Sequence, residues 1–498
     1  MRSSSARPRS RSLATGSALT LGSQIFVAAV QIGYAAFASR LVAPDDFGTY
    51  AVALLGAALL SQLFSSGTQN SVARSTDLSS EQVRSIASSA LVLGVAGAAF
   101  CILMAGPWAS LWGQPGAAVL LVQYSLALLI SPYAGMIQGM ARRDGKFARL
   151  ALANTVSGVL VLILGTAAVV VSQTASALMV TLTLTPWTLL LACSVSCRTL
   201  PRPGRIRRSA RSHSVFSRKV RVAYGLMFIS MAGMPLAISR WLGAATLGQF
   251  NRAFTLTVVP LDLFRVSITT TIYPALAKDA DDNSRTRLRW PDLLGLVGWI
   301  TVVPSLALCL LMPQMMALLL GPQWSVAGLL AVPLLVVGGL SASTMTLYLA
   351  LEAANQFKIV FSSLAADLVV TCAGMAMIWL TQQLYWVPIT MLSAVVAMHI
   401  GLAGLAVRSG MLDGRHLCVR YAQVLGAGLL GAIVCAGCLL VAQLEAPLLL
   451  RTFAVVLGVV ATTGVVVWFR DKLPPVLIAR EYGLIGPTKE HRFFPASR

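Results

Sequence analysis

The chain is 498 residues long, 57% hydrophobic and only 11% charged, with a mean hydropathy of +0.77 and a formal net charge of +21. Soluble domains carry about 25% charged residues, so a soluble globular fold is excluded. Apolar runs of about twenty residues, each long enough to cross about 30 Å of hydrocarbon, recur from end to end and make this a polytopic helical membrane protein.

In chain order, residues 1–14 form a basic N-terminus containing Arg2, Arg7, Arg9 and Arg11. A first bundle over 15–197 holds six predicted spans, at 16–38, 50–70, 87–110, 117–140, 150–172 and 175–197. The run at 16–38 is too long for the core of a cleavable signal. A basic linker, 198–221, carries Pro201, Pro203 and Gly204. A second bundle over 222–407 holds six more spans, at 222–242, 251–275, 293–317, 326–351, 357–380 and 384–407. Two additional helices within 408–469, at 421–442 and 447–469, precede a polar tail over 470–498. The expectation is an all-α fold of about fourteen transmembrane helices. The eight cysteines fall almost entirely inside the spans and read as small apolar packing residues.

Charge sets the orientation. With both termini placed in the cytoplasm, 33 of the 38 Lys and Arg residues fall on the cytoplasmic side, the asymmetry expected of cytoplasmic loops. The exceptions are Arg40, Arg240, Arg252, Arg265 and Arg451. Positive charge is thus distributed by topology, and no zinc-ligand spacing or RNA-binding motif points to nucleic acid as a partner.

The chain also repeats itself. Ser39, Arg40, Gly48 and Ala53 return, without a gap, as Ser239, Arg240, Gly248 and Ala253, with apolar pairs such as Phe47/Leu247 and Tyr50/Phe250 between them. Six spans are an even number of crossings, so the copies share one orientation and form a parallel repeat about an axis along the membrane normal. A fainter echo pairs Lys146 and Phe147 with Gln356 and Phe357 at the starts of spans five and eleven. Helix breakers at Pro186, Pro235, Pro260, Pro304 and Pro333 suit helices that kink around a cavity.

The turn Arg40, Leu41, Val42, Pro44, Asp46, Phe47, Gly48, Tyr50 after the first span resembles the polysaccharide exporters. These are the Wzx-type flippases of the multidrug/oligosaccharidyl-lipid/polysaccharide superfamily. The second copy agrees, with Arg240, Trp241, Leu242, Gly243, Leu247, Gly248, Phe250, Asn251, Arg252 and Ala253, then Pro260 and the run Ile272 to Leu276. The resemblance covers most of 15–410. It implies two bundles around a cavity open alternately to each side. It further implies movement of an undecaprenyl-pyrophosphate-linked oligosaccharide from the cytoplasmic to the outer leaflet of the bacterial inner membrane. No enzymatic step and no bound cofactor are implied, although a proton or sodium gradient could drive the cycle. Implied partners are the lipid-linked sugar, membrane lipids, and a polysaccharide polymerase with its chain-length protein. One departure matters: members often carry an acid in span seven, and Met234 to Ile238 contains none.

Carrying a sugar-pyrophosphate through hydrocarbon requires a polar substitute for water, and arginine binds phosphate oxygens bidentately while staying charged. Arg265, deep in span eight, is a candidate anion contact tempered by Asp262 three residues earlier; equally, the two form a self-neutralising ion pair. Arg40 and Arg240 occupy matched outer positions, either gripping an anion together or anchoring at the interface. Arg252 either joins Arg240 or pairs with lipid headgroups. Gln24 and Gln31 share one face of span one, for sugar hydroxyls or for interhelical contacts. Asp367, mid-membrane in span eleven, and Asp262 are the carboxylates available to a coupling ion, and His399 is a further intramembrane ionisable group.

Two other functions compete. A cation-coupled drug antiporter would favour an acidic, aromatic pocket over these arginines. An oligosaccharide polymerase would need a sizeable outer loop, and every outer loop here is short. The absence of a phosphate-binding Gly-rich loop excludes ATP hydrolysis by this chain.

Overall fold

The computed structural model describes residues 30, 33–65, 72, 78–197, 201–205, 218–278, 283–354 and 356–442. The side chains of 147, 197, 218–224, 263–289, 353, 438 and 440–442 also lie outside the description. The expected span 447–469, the tail and most of span 16–38 therefore fall outside it.

Helical residues 33–41 lead into α1 (Pro44–Phe64), α2 (Ser80–Trp112), α3 (Gly116–Arg143), α4 (Phe147–Ser172), α5 (Ala175–Cys197), α6 (Arg218–Ala237) and α7 (Ala244–Lys278). Then follow α8 (Asn283–Leu308), the short α9 (Met312–Leu320), α10 (Ser325–Ala353), α11 (Phe357–Thr381), α12 (Trp386–Arg408) and α13 (Gly414–Ala442). Eleven described segments are long and apolar enough to cross a membrane, and α7 covers the expected span 251–275. Large apolar side chains point outward along them, Val171 at 85% and Val195 at 78% exposure. In water such surfaces would aggregate; against lipid tails they are ordinary.

Local chemistry sets where the helices start and stop. Pro44 opens α1, where its missing N–H costs nothing, and Asp45 and Asp46 complement the positive end of the first turn. Ser79 and Gln82 form a capping box at the start of α2, with N–H···O distances of 3.2 and 2.8 Å. That helix ends at Gly113, whose left-handed φ of +66° turns the chain without a Cβ penalty. In α6, Pro235 deprives the ladder of a donor, and the chain widens into a π-helical turn over Ile238–Leu242 just beyond it.

The described chain divides into two units. The first comprises residues 1–252, 318–326 and 375–384; the second comprises 253–317, 327–374 and 385–498. In the first, α2 packs along α3, α4 along α5, and α3 against α5. Asp46 in the first turn of α1 accepts from the Ala175 N–H at 3.0 Å, capping α5 across 129 residues of sequence. In the second, α8 packs along α13. Asp292, nine residues into α8, accepts from His416 Nε2 and from Arg420 Nε, both at 2.8 Å.

Candidate functional site

The two echoing turns meet each other inside the first unit. A Cβ on Gly48 would land on the backbone carbonyl of Ala244, and a Cβ on Gly248 would land on the carbonyl of Pro44. Pro44 and Ala244 are themselves matched at an offset of 200, so the contact is reciprocal: each copy's glycine receives the other copy's first-turn carbonyl. A self-complementary contact of this kind is what a two-fold relation between equivalent elements produces. Glycine is the residue that permits it, because any side chain would hold the backbones apart.

The arginine that opens each turn lies on the end of a helix, while the serines differ: Ser39 Oγ donates back to Ala35 O in its own helix at 2.6 Å. Arg40 donates from Nε to Leu319 O at 3.2 Å and from Nη2 to Leu318 O at 2.6 Å, satisfying the last carbonyls of α9. A cation at a helix C-terminus also complements its partial negative charge. Arg240 lies over the end of α2, with Nη1 3.0 Å from where a Gly113 Cβ would stand. Beside it, Ser239 Oγ donates to Trp112 O at 2.8 Å. The backbone carbonyl of Ser39 in turn accepts from Gln323 Nε2 at 2.5 Å and Trp324 Nε1 at 2.7 Å. Both guanidinium groups remain exposed, so capping a helix end leaves their outer edges in reach of an anion.

Arg252 breaks the likeness. Its counterpart, Val52, is fully buried, and Arg252 is itself only 6% exposed. Its Cζ stacks 4.2 Å from the Phe47 ring centroid, a favourable placement for a desolvated cation. Its Nη2 donates to Asn251 Oδ1 at 2.9 Å. The phenols of Tyr34 and Tyr50 are its electrostatic neighbours, and among the described residues no carboxylate pairs with it. Arg252 Nε and Tyr34 Oη are both buried without a hydrogen-bond partner. Two orphaned polar atoms around one buried cation are unusual in a native interior, and the donor set, an N–H and an O–H beside a positive charge, suits an anionic oxygen.

The other sequence candidates are placed as follows. Gln24 and Gln31 lie outside the described residues. Arg265 falls on α7, with its side chain outside them. Asp262 on α7 and Asp367 on α11 are half-buried, and each interacts with a neighbouring group. The structure thus gathers Arg252 with aromatic residues that the sequence reading did not single out. Phe47 and Tyr50 were visible as an i, i+3 pair within the repeated turn; Tyr34 carried no signal.

Comparison with known proteins agrees with this architecture. A family model described as "Polysaccharide biosynthesis protein" matches residues 37–328. The lipopolysaccharide biosynthesis protein WzxC of Escherichia coli K12 is 26% identical over 296 residues, which is 58% of this chain and 59% of that protein. The chain therefore spans less than two thirds of that relative's length. An uncharacterised membrane protein of the cps region in Klebsiella pneumoniae is 32% identical over 87 residues, 18% of each chain. Among solved structures, the lipid II flippase MurJ in an inward closed conformation superposes with a TM-score of 0.68 at 13% identity. That superposition covers 91% of this chain and 99% of MurJ, and at such identity it speaks for the fold alone. The chain is a multi-pass membrane protein of the polysaccharide biosynthesis family, with the architecture of the multidrug/oligosaccharidyl-lipid/polysaccharide superfamily.

Proposed function

We propose that this protein is a transporter, not an enzyme. It moves an undecaprenyl-pyrophosphate-linked oligosaccharide from the cytoplasmic to the outer leaflet of the bacterial inner membrane, with both termini cytoplasmic. The observation that carries the reading is Arg252: a cation buried on α7, paired with no carboxylate among the described residues, with one donor unused. A buried charge without a paired counter-ion is costly to hold. At the matched position of the other copy the fold is served by Val52, so packing alone does not call for arginine. An anionic headgroup supplies the reason, since it turns the same buried charge into a binding contact.

Phosphate oxygens would engage Arg252 and the Tyr34 hydroxyl, and Arg40 and Arg240, already seated on helix ends, present further cations. Sugar hydroxyls fall to neutral polar groups, for which Gln24 and Gln31 remain candidates. The isoprenoid tail stays in the bilayer and needs no polar site. A polymerase and a chain-length protein would receive the exported unit. A cation-exporting drug antiporter fits less well, because a buried arginine repels its cargo.

The test is leaflet translocation of a fluorescent undecaprenyl-pyrophosphate oligosaccharide in proteoliposomes. Arg252→Gln removes a charge-assisted contact of about 1.5–3 kcal/mol, so translocation should fall about ten- to a hundredfold, with Arg252→Lys recovering part of it. Full translocation by a folded Arg252→Gln protein would falsify the anion-site reading. Gradient-driven efflux of small organic cations, with no lipid translocation, would move the protein to the antiporters.

A further inference from the structure

In the second unit a single imidazole joins three helices. His399 on α12 has Nδ1 3.0 Å from Thr344 Oγ1 on α10 and Nε2 2.7 Å from Tyr421 Oη on α13. His399 and Tyr421 line a cavity of about 200 Å³ that is otherwise walled mainly by apolar side chains such as Val302, Leu340 and Val424. It is large enough to admit water to the imidazole edge.

The hydrogen-bond inventory assigns the proton. Thr344 has one hydroxyl hydrogen, and its Oγ1 donates to Leu340 O at 2.8 Å. With that hydrogen on Leu340 O, Oγ1 accepts from His399 and Nδ1 carries the hydrogen. In a neutral imidazole Nε2 is then the acceptor, and the Tyr421 O–H donates to it. The bridge is complete for this one neutral tautomer. A proton added to the Nε2 lone pair makes both ring nitrogens donors. Tyr421 Oη must then accept, and its phenolic hydrogen must turn to a new partner. Ser343 is the remaining polar side chain on the cavity wall.

Charged groups lie on each of the packed helices. On α11, which meets α12 where Ser363 approaches Gly401, they are Lys358 and Asp367, and Asp367 interacts with a neighbouring group. Asp292 on α8 is held by His416 and Arg420, and Glu352 lies two turns beyond Thr344 on α10. On α13 the titratable neighbours are Tyr421 itself and Cys418, which sits beside it. On α12 the other ionisable residue is Arg408, at its last turn.

We propose that His399 is a one-proton binding site through which the second unit is driven by the proton gradient. The proton enters on Nε2 by way of the cavity, Tyr421 exchanges its donor role for an acceptor role, and the link between α12 and α13 is rebuilt around a charge. The coupling rests on the transport reading above; the binding of the proton does not.

Nitrogen-15 NMR tests the site directly. The chain has four histidines, and His399→Gln assigns the resonance. Expected is a neutral Nδ1–H imidazole that takes one proton on Nε2 while the protein stays folded. The Tyr421 ring carbons should shift at the same midpoint, and Tyr421→Phe should move that midpoint. In proteoliposomes, translocation should rise as pH falls through the midpoint, by at most about tenfold per unit, the limit for one proton. His399→Gln should flatten that profile. An Nε2–H neutral tautomer, an imidazole that never titrates in the folded protein, or a profile unchanged by His399→Gln overturns the proposal. Proton uptake on Nε2 in a protein that translocates nothing supports the site and overturns the transport reading instead.

Discussion

The turn at 39–53 and the turn at 239–253 are two versions of one structural unit, and they differ where function would be placed. Both begin with a serine followed by an arginine at a helix end, and both offer a glycine to the other's first-turn carbonyl. Those shared features build the crossing. The divergent positions do other work. Asp46 caps α5 where its counterpart Thr246 merely donates back to Leu242 O at 2.9 Å. Val52 fills space where Arg252 places a buried charge against Phe47. Duplication supplies a scaffold twice over, and one copy can then carry a residue that the scaffold does not need.

The sharpest way to break the comparison is at the crossing itself. Gly48→Ala and Gly248→Ala each put a methyl group into a backbone carbonyl. Each should destabilise the protein by about 3 kcal/mol, read as a lowered unfolding midpoint in detergent. An unchanged midpoint for both would refute the reciprocal contact.

Arg252→Val converts the second turn toward the first. Replacing a buried charge by a hydrophobe of fitting shape often stabilises by about 1–4 kcal/mol, so this variant should unfold at higher temperature while losing translocation. Loss of both stability and transport would make Arg252 a packing residue. A smaller effect is expected of Asp46→Ala, which leaves the Ala175 N–H without its cap at a cost of about 1 kcal/mol. Thr246→Ala, at the matched position, should cost less, and thermal unfolding of the pair checks the order. Smallest is Arg40→Gln, which removes a helix-end cation worth about 0.3–1 kcal/mol. Its midpoint should barely move, so a translocation defect in this variant would report the exposed edge of the guanidinium rather than its capping bonds.

Much of the architecture was legible in the residues. The helical spans follow from apolar length, and Pro44, Ser79, Gly113 and Pro235 mark ends and breaks by the chemistry of their backbones. The repeat was legible because Arg and Gly recur at a fixed offset. The Arg252 cluster was half legible: the cation was visible, and its aromatic neighbours stood in the same motif without a sign that they face it. The His399 bridge was not legible at all beyond the histidine, since Thr344 and Tyr421 lie 55 and 22 residues away.

By itself, then, the sequence determined a helical membrane protein in which one turn motif is written twice. Hydrophobic length, helix-breaking chemistry and the spacing of a repeat are properties of the chain that need no partner. Tertiary structure alone decided that Gly48 and Gly248 cross reciprocally, that Arg252 is enclosed against Phe47, and that His399 bridges α10 and α13. Along helices that are apolar on every side, lipid and protein are nearly equivalent surroundings, so the pattern of residues does not mark which stripe faces which. That choice is made by close packing between helices, and packing exists only once they are assembled.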